Sequence, residues 1–149
     1  MIRRLLSVAV LALLSLPAHA GEIEIVSPVL RLPAISGGNG AVFLTIVNHG
    51  PADRLTAASL PNTRATELHT HQRDGAVVRM RRVESIEVPA NGRAELRPGG
   101  DHIMAIGLDP APAAGEEVTL TLTFAQAGTI ETKVTASPAV PQEHRHGGN

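Results

Sequence analysis

Several residue types are absent from the sequence: its 149 residues include no cysteine, no tryptophan and no tyrosine. Without cysteine, a disulfide framework, a thiol nucleophile, a zinc–thiolate site and a CxxC redox motif cannot form. A blue-copper electron-transfer site is excluded as well, because it needs a thiolate ligand. Phe43 and Phe124 are the only phenylalanines. The core therefore has to be built from Val, Leu, Ile and Ala.

Positive charge is not in excess either. Lys and Arg together number 13, against 14 Asp and Glu, which gives a net charge of −1. Proteins that bind nucleic acids or anionic membranes use an excess of Lys and Arg to neutralise phosphates. We therefore expect neither kind of partner.

The two ends of the sequence differ from its middle. Arg3 and Arg4, the apolar run Leu5–Leu16 and the segment Ala18–Ala20 follow one another as in a cleavable signal peptide. The apolar run is too short to span a bilayer, and no cysteine follows it for a lipoprotein cut. We expect residues 1–20 to be a signal peptide, residues 21–136 a β-domain in the periplasm without membrane insertion, and residues 137–149 a flexible, His-containing tail.

Short strands separated by turns make up the middle of the chain. Apolar residues alternate with threonines over Glu117–Phe124, as in a half-buried strand. We expect Pro28, Pro33 and Ser36–Gly40 to interrupt the chain after the first strand. No segment has sustained helical periodicity, so the predicted fold is all-β, a Greek-key sandwich or barrel. The other predicted strands are Glu22–Val26, Ala41–Asn48, Arg54–Leu60, Thr66–His71, Val77–Val83, Glu84–Val88, Arg93–Leu96, His102–Leu108 and Thr129–Thr135.

After the signal peptide the chain has only two methionines, and each can be placed beside a histidine. His102 and Met104 are two residues apart on a predicted strand, so their side chains point to the same face.

A hairpin supplies the second pair. Asp74-Gly75 is a strong signal for a two-residue turn. Such a turn sets His69 directly opposite Met80, with the Cβ atoms about 5 Å apart. His71 lies on the same face, one pair nearer the turn.

Two imidazoles and two thioethers form a soft, neutral ligand set. Thioether sulfur selects Cu(I) among biological metals, whereas zinc sites recruit thiolate or carboxylate. Taken singly, a methionine in a strand is usually core filler and a lone histidine is usually a surface residue. The placement of both methionines beside histidines favours a metal site over these two alternatives.

The spacing of these residues, His69–x10–Met80–x21–His102–x–Met104, resembles that of the periplasmic copper chaperones called PCuAC. The resemblance covers about Ile23 to Thr135. It implies a cupredoxin-like β-fold, Cu(I) held by the four named residues and no catalytic step. It also implies delivery of Cu(I) to a recipient, a cytochrome c oxidase subunit or another copper chaperone; we expect a monomer. The surrounding segments that resemble the family are Phe43–Asn48, Ala52–Leu55, Glu67–His69 and Leu96–Met104.

Two histidine-containing segments extend this hypothesis. Many PCuAC members have methionine where this chain has His71, which is then either a harder auxiliary ligand or a polar residue on the hairpin rim; we favour the rim. In the tail, His144 and His146 lie within reach of one ion and either bind a second copper, as Cu(II), or belong to a solvated end. Some members resemble this chain in having such an extension that holds a second copper.

Three other functions compete with that of a chaperone. A periplasmic copper buffer or resistance protein needs the same site. A metal-free β-sandwich interaction module needs none. A copper enzyme is disfavoured because no base–nucleophile constellation is found.

Arg79 and Arg81 are expected to face away from Met80, on a solvated face or, as the less favoured alternative, on a surface that docks an acidic partner.

Overall fold

The structure, a computed structural model, describes residues 22–139. The predicted signal peptide and the tail histidines His144 and His146 lie outside these residues.

The described chain is all-β, as the sequence predicts, and its ten strands have the cupredoxin-like arrangement expected from the resemblance. The strands are β1 (Ile23–Arg31), β2 (Gly40–Asn48), β3 (Asp53–Ser59), β4 (Ala65–Asp74), β5 (Val77–Arg82), β6 (Ile86–Val88), β7 (Gly92–Leu96), β8 (His102–Ile106), β9 (Glu117–Phe124) and β10 (Gly128–Ser137).

The strands pair in the order β5-β4-β8-β2-β1-β10-β9-β3-β6, and β7 pairs with the half of β2 that β8 leaves free. Every pair is antiparallel except β1 with β10. The path folds back on itself, because β3 contacts β4 and β6 contacts β7. Two layers result, and β5 is left at an outer edge.

Aliphatic side chains fill the space between the layers. Strand β2 alternates buried and half-buried residues along its whole length, the period of two expected of a sheet with one face in the core. Phe124 is the one buried phenylalanine, and Phe43 is half-buried on the opposite face of the sheet. Leu68 of β4 and Ile103 of β8 are buried, which anchors the two strands that carry most of the candidate ligands.

The first strand is longer than predicted. Pro28 was expected to help interrupt the chain, but β1 runs on to Arg31 through an irregularity between Val26 and Val29. Ser27 takes a positive φ of 51° there. A bulge leaves a residue outside the ladder, so a proline without an N–H is tolerated at it. The prediction of an interruption at Pro28 was therefore wrong.

The turn of the β4–β5 hairpin lies one residue later than predicted. Asp74 pairs with Val77, so the two turn residues are Gly75 and Ala76 rather than Asp74 and Gly75. Gly75 has a φ of +61°, as expected. Because Gly75 is the first of the two turn residues, the turn needs a positive φ only at a glycine, which is the pattern of a type II′ turn. A type I′ turn over Asp74-Gly75 would require a positive φ at Asp74 as well, which is costly for a residue with a side chain.

Candidate metal centre

Strands β4 and β8 bring two of the predicted ligands face to face. His69 is the direct antiparallel partner of His102. Side chains two residues apart on a strand share a face. His71 and Met104 therefore lie on the same face as this histidine pair, on opposite sides of it.

The hairpin register differs from the prediction by two residues. Met80 is directly opposite His71, and Arg82 is directly opposite His69. The predicted direct pairing of His69 with Met80 was wrong, because the turn is displaced by one residue. The displacement changes the partner but not the face, so Met80 still lies on the ligand side, diagonal to His69.

The two methionines flank the histidine pair. Met80 and Met104 each lie two residues along from the direct partner of His69. Such diagonal positions are about 7–8 Å apart and within reach of long side chains. Met104 is partly buried, whereas Met80 is 48% exposed. The site therefore has one closed side, towards β8, and one open side, at the hairpin.

A single backbone carbonyl orients two of the imidazoles. The oxygen of Gly100 lies 3.0 Å from Nδ1 of His102 and 3.1 Å from Nδ1 of His71. A carbonyl oxygen only accepts hydrogen bonds, so each ring donates its Nδ1–H and keeps its lone pair on Nε2. The rings of His71 and His102 are 5.2 Å apart between centroids. His71 is therefore packed into the site rather than standing apart on the hairpin rim.

Glu67 orients the third imidazole. Its Oε2 lies 2.8 Å from Nε2 of His69, and its Oε1 lies 3.6 Å from Nη1 of Arg82. The hydrogen bond from His69, helped by the nearby guanidinium, lowers the pKa of Glu67. An ionised carboxylate only accepts, so His69 donates its Nε2–H. Its lone pair is then on Nδ1.

Two ring nitrogens are buried without a hydrogen-bond partner among the described residues: Nδ1 of His69 and Nε2 of His102. They are the atoms on which the two hydrogen bonds leave a lone pair. Unpartnered buried polar atoms are rare and costly. The centroids of the two rings are 5.7 Å apart. With metal–nitrogen bonds of about 2.0–2.1 Å, as in zinc sites, two imidazoles on one ion have centroids roughly 5 to 6.3 Å apart. The spacing of the two rings therefore fits the binding of one metal ion between these nitrogens.

The surroundings of His102 favour the neutral form of its ring. The residue is 2% exposed, and burial is the main reason that its pKa is lowered; the Gly100 hydrogen bond opposes this effect, and His71 and His69 add to it. The Phe43 ring lies 6.3 Å from the His102 ring, and the Arg31 guanidinium lies over Phe43 at 5.1 Å. Metal ions bind the neutral form of imidazole.

The site does not resemble a site built from carboxylates and histidines alone. Within residues 22–139, no three His, Cys, Asp or Glu side chains are grouped so that they could hold a metal ion. Across the same residues, no helix has the length and apolar character needed to span a membrane.

The sequence does not predict two of the groups that orient the histidine rings, the Glu67 carboxylate and the Gly100 carbonyl. Glu67 precedes His69 by two residues, so strand alternation alone places both on one face and could have revealed it. The Gly100 carbonyl carries no side-chain signal. His49, by contrast, is 63% exposed beside Glu24, at 3.5 Å, and takes no part in the site.

Comparison with known sequences identifies a family and a relative of this chain. A family model described as "Putative lipoprotein LpqE-like" matches residues 23–136. The protein named "Putative lipoprotein Lxx21020", from Leifsonia xyli subsp. xyli, is 29% identical over an alignment of 120 residues, which covers 78% of this chain and 68% of that protein.

Two solved structures show the same architecture. The copper-bound PCuAC domain from PmoF2 superposes with a TM-score of 0.68 at 24% identity, covering 79% of this chain and 94% of that domain. The solution structure of CuI-DR1885 from Deinococcus radiodurans superposes with a TM-score of 0.59 at 25% identity, covering 76% and 78%. The resemblance to PCuAC is thereby confirmed, and the chain belongs to the LpqE-like family, with the fold of a PCuAC domain.

Proposed function

We propose that this protein is a copper metallochaperone that holds one Cu(I) through His69, Met80, His102 and Met104, without a catalytic step. The observation that carries the proposal is the pair of buried ring nitrogens on His69 and His102, which find no hydrogen-bond partner within residues 22–139. The two thioethers on the same face select Cu(I) over zinc. The similarity to a structure of CuI-DR1885 supports the same cargo.

The hydrogen bonds around the rings suggest which atoms bind the ion. Donation to Glu67 leaves Nδ1 of His69 as the donor, and donation to Gly100 leaves Nε2 of His102. His71 also keeps its Nε2 lone pair beside His102. His71 does not form a three-histidine group with His69 and His102 in the described arrangement. We therefore propose it as an auxiliary ligand that joins them only when the ion is bound, a harder donor than the methionine that many PCuAC members have there.

Exposure of one ligand favours delivery over storage. Met80 is 48% exposed, so an incoming ligand can reach the copper and displace this thioether. A protein that only stored copper would not need a ligand open to a partner. We propose that the copper goes to a recipient such as the copper centre of cytochrome c oxidase, or to another copper chaperone, and that the carrier is a monomer.

We place this activity in the periplasm, after removal of residues 1–20. The signal-like start of the sequence and the lipoprotein names of the family and of its Leifsonia relative support a location in the cell envelope. Intact-mass measurement of the exported protein tests this proposal. The expected first residue is Gly21, and recovery of the uncleaved chain from membranes would contradict it.

The metal stoichiometry tests the main site. Anaerobic titration of the purified chain with Cu(I) against a chelator should give one tightly bound equivalent. His102→Ala should abolish it, because a buried donor is lost. His49→Ala is the matched control and should bind as the parent does, since His49 is exposed and outside the site. Equal binding by both variants would contradict the assignment.

The tail is a separate proposal. His144 and His146 are spaced to hold a second ion, as Cu(II), under oxidising conditions. Deleting residues 143–149 should then remove one Cu(II) equivalent and leave the Cu(I) equivalent. Unchanged stoichiometry after deletion would show that the tail has no such role.

A further inference from the structure

We propose that the β4–β5 hairpin is a docking surface for an acidic copper-recipient protein. We call this surface the basic edge and define it as Arg73, Arg79, Arg81 and Arg82 together with the apolar residues of β5. The proposal rests on the proposed function and adds to it where the recipient binds and what chemistry the recipient presents.

The basic edge is the main place where the described chain exposes apolar side chains. All six residues of β5 are exposed. Val77, Val78 and Met80 are 51%, 49% and 48% exposed, and the only other large hydrophobic residue exposed within residues 22–139 is Ile35. Single exposed apolar residues are normal, but a group rimmed by charges is typical of an interaction site.

The charge of the basic edge is opposite to that of the chain. The ten residues from 73 to 82 carry four arginines and one acidic residue, Asp74, while the whole chain has a net charge of −1. Arg82 lies 3.6 Å from Glu67. The part of the chain that the structure describes provides no salt bridge for Arg73, Arg79 or Arg81. Guanidinium groups stay charged and bind carboxylates through two parallel hydrogen bonds.

The distribution of these charges favours a protein partner over a membrane or a second copy. Arg79 and Arg81 lie on one face of β5, and Arg82 lies on the other, beside Met80. A flat lipid surface can meet only one of these faces. Pairing of β5 with its copy would bring two arginine-rich strands together, and like charges across a strand pair are destabilising. Acidic side chains on a protein can reach both faces.

The open ligand lies inside this surface. A recipient seated on β5 contacts Met80, while His102, two strands away on β8, stays buried. Transfer then begins at that thioether: the bond between copper and the Met80 sulfur breaks as a bond to a recipient sulfur or nitrogen forms. Copper moves as Cu(I), no electron is exchanged, and the thioether takes up no proton.

Two acceptor peptides test the proposal. Both carry the same Met and His ligands; one is flanked by Asp and Glu, the other by Lys. Stopped-flow transfer from the Cu(I)-loaded chain at low salt should be at least 10-fold faster to the acidic peptide, since steering by opposite charge raises association rates about 10- to 1,000-fold. The difference should shrink as salt screens the charges.

Reversing the charge of two arginines tests whether the preference for the acidic peptide arises at the basic edge. The double variant Arg79→Glu/Arg81→Glu should reverse the preference for the acidic peptide. The control Arg54→Glu/Arg93→Glu makes the same change in net charge on other strands, at exposed positions, and should keep the preference. Circular dichroism should show both variants folded, because all four side chains are exposed.

The contrary outcomes distinguish failure of the docking surface from failure of the proposed function. Equal rates to both peptides, or reversal by the control variant, would overturn the docking surface while leaving the copper site intact. Dimerisation through β5 in sedimentation equilibrium, or binding to phosphatidylglycerol vesicles that the Arg79→Glu/Arg81→Glu variant loses, would also overturn it. Failure of the parent chain to hold Cu(I) would instead overturn the proposed function, and the titration detects this before any transfer is measured.

Discussion

Replacing His102 with leucine should separate a metal ligand from a structural histidine. His102 is 2% exposed, and its Nε2 has no partner among the described residues. If the ring is there to bind copper, the metal-free protein carries an unsatisfied polar atom that leucine removes. Leucine is close to histidine in size, so the change should leave no large cavity.

The magnitude follows from two opposing contributions. Removing a buried unsatisfied polar atom should recover about 1–3 kcal/mol, while losing one hydrogen bond should cost about 0.5–1.5 kcal/mol. The Gly100 oxygen keeps its other donor, Nδ1 of His71, at 3.1 Å, so the carbonyl is not left unpaired. His102→Leu should therefore raise the unfolding free energy of the metal-free protein by about 1 kcal/mol. For a domain of this size the melting temperature should rise by roughly 4 °C.

Copper should reverse the order of stability. Free Cu(I) at 100 times its dissociation constant stabilises the parent by about 2.7 kcal/mol, and the variant should gain little. Thermal unfolding of both proteins at pH 7, with and without buffered Cu(I) under anaerobic conditions, measures the crossover. A metal-free variant that loses 2 kcal/mol or more, or a variant that copper stabilises as much as the parent, would refute the reasoning.

Three further predictions follow from the site. Glu67→Gln should weaken Cu(I) binding about 10- to 100-fold in chelator competition, because loss of a group that orients a metal-binding histidine has that effect; the exposed control Glu84→Gln should not. Gly75→Val should destabilise the hairpin by about 1–2 kcal/mol, because valine is strained at a φ of +61°, and should weaken Cu(I) binding; an unchanged melting curve would contradict the turn. The unfolded chain protonates His102 at a higher pH than the folded chain, since the folded pKa is lowered. The stability of the metal-free parent relative to His102→Leu should therefore fall as the pH drops through about 6.5, and a rise would contradict this sign.

The sequence predicts the strands better than the details of their pairing. The alternation in Glu117–Phe124 identifies β9 within its exact bounds, because one face of that strand is in the core. The predicted end of β1 was wrong because a strand can continue through Pro28 when a bulge accommodates it. The sequence does not reveal this bulge, since it depends on tertiary packing. The hairpin turn was displaced by one residue because Asp74-Gly75 and Gly75-Ala76 both place glycine in the turn, and local sequence does not choose between them.

The same distinction holds for the site. All four predicted ligands lie on one face, because a displacement of the turn by one residue moves the pairing by two residues and so preserves the face. The contact between His69 and His102 joins strands that are distant in sequence, so no local pattern reveals it. The position of His71 beside His102 follows from the Gly100 carbonyl, which has no signature in the sequence.

The most direct test of the copper site is the double variant Met80→Ile/Met104→Ile. Isoleucine keeps the apolar character and approximate volume, and such swaps usually cost less than about 1.5 kcal/mol of stability. Competition against a Cu(I) chelator, run beside thermal unfolding of the same samples, measures ligand loss and fold stability together. The site predicts a melting temperature close to that of the parent and the loss of most Cu(I) affinity. A double variant that holds Cu(I) as tightly as the parent would show that the two thioethers are not ligands and would contradict the assignment.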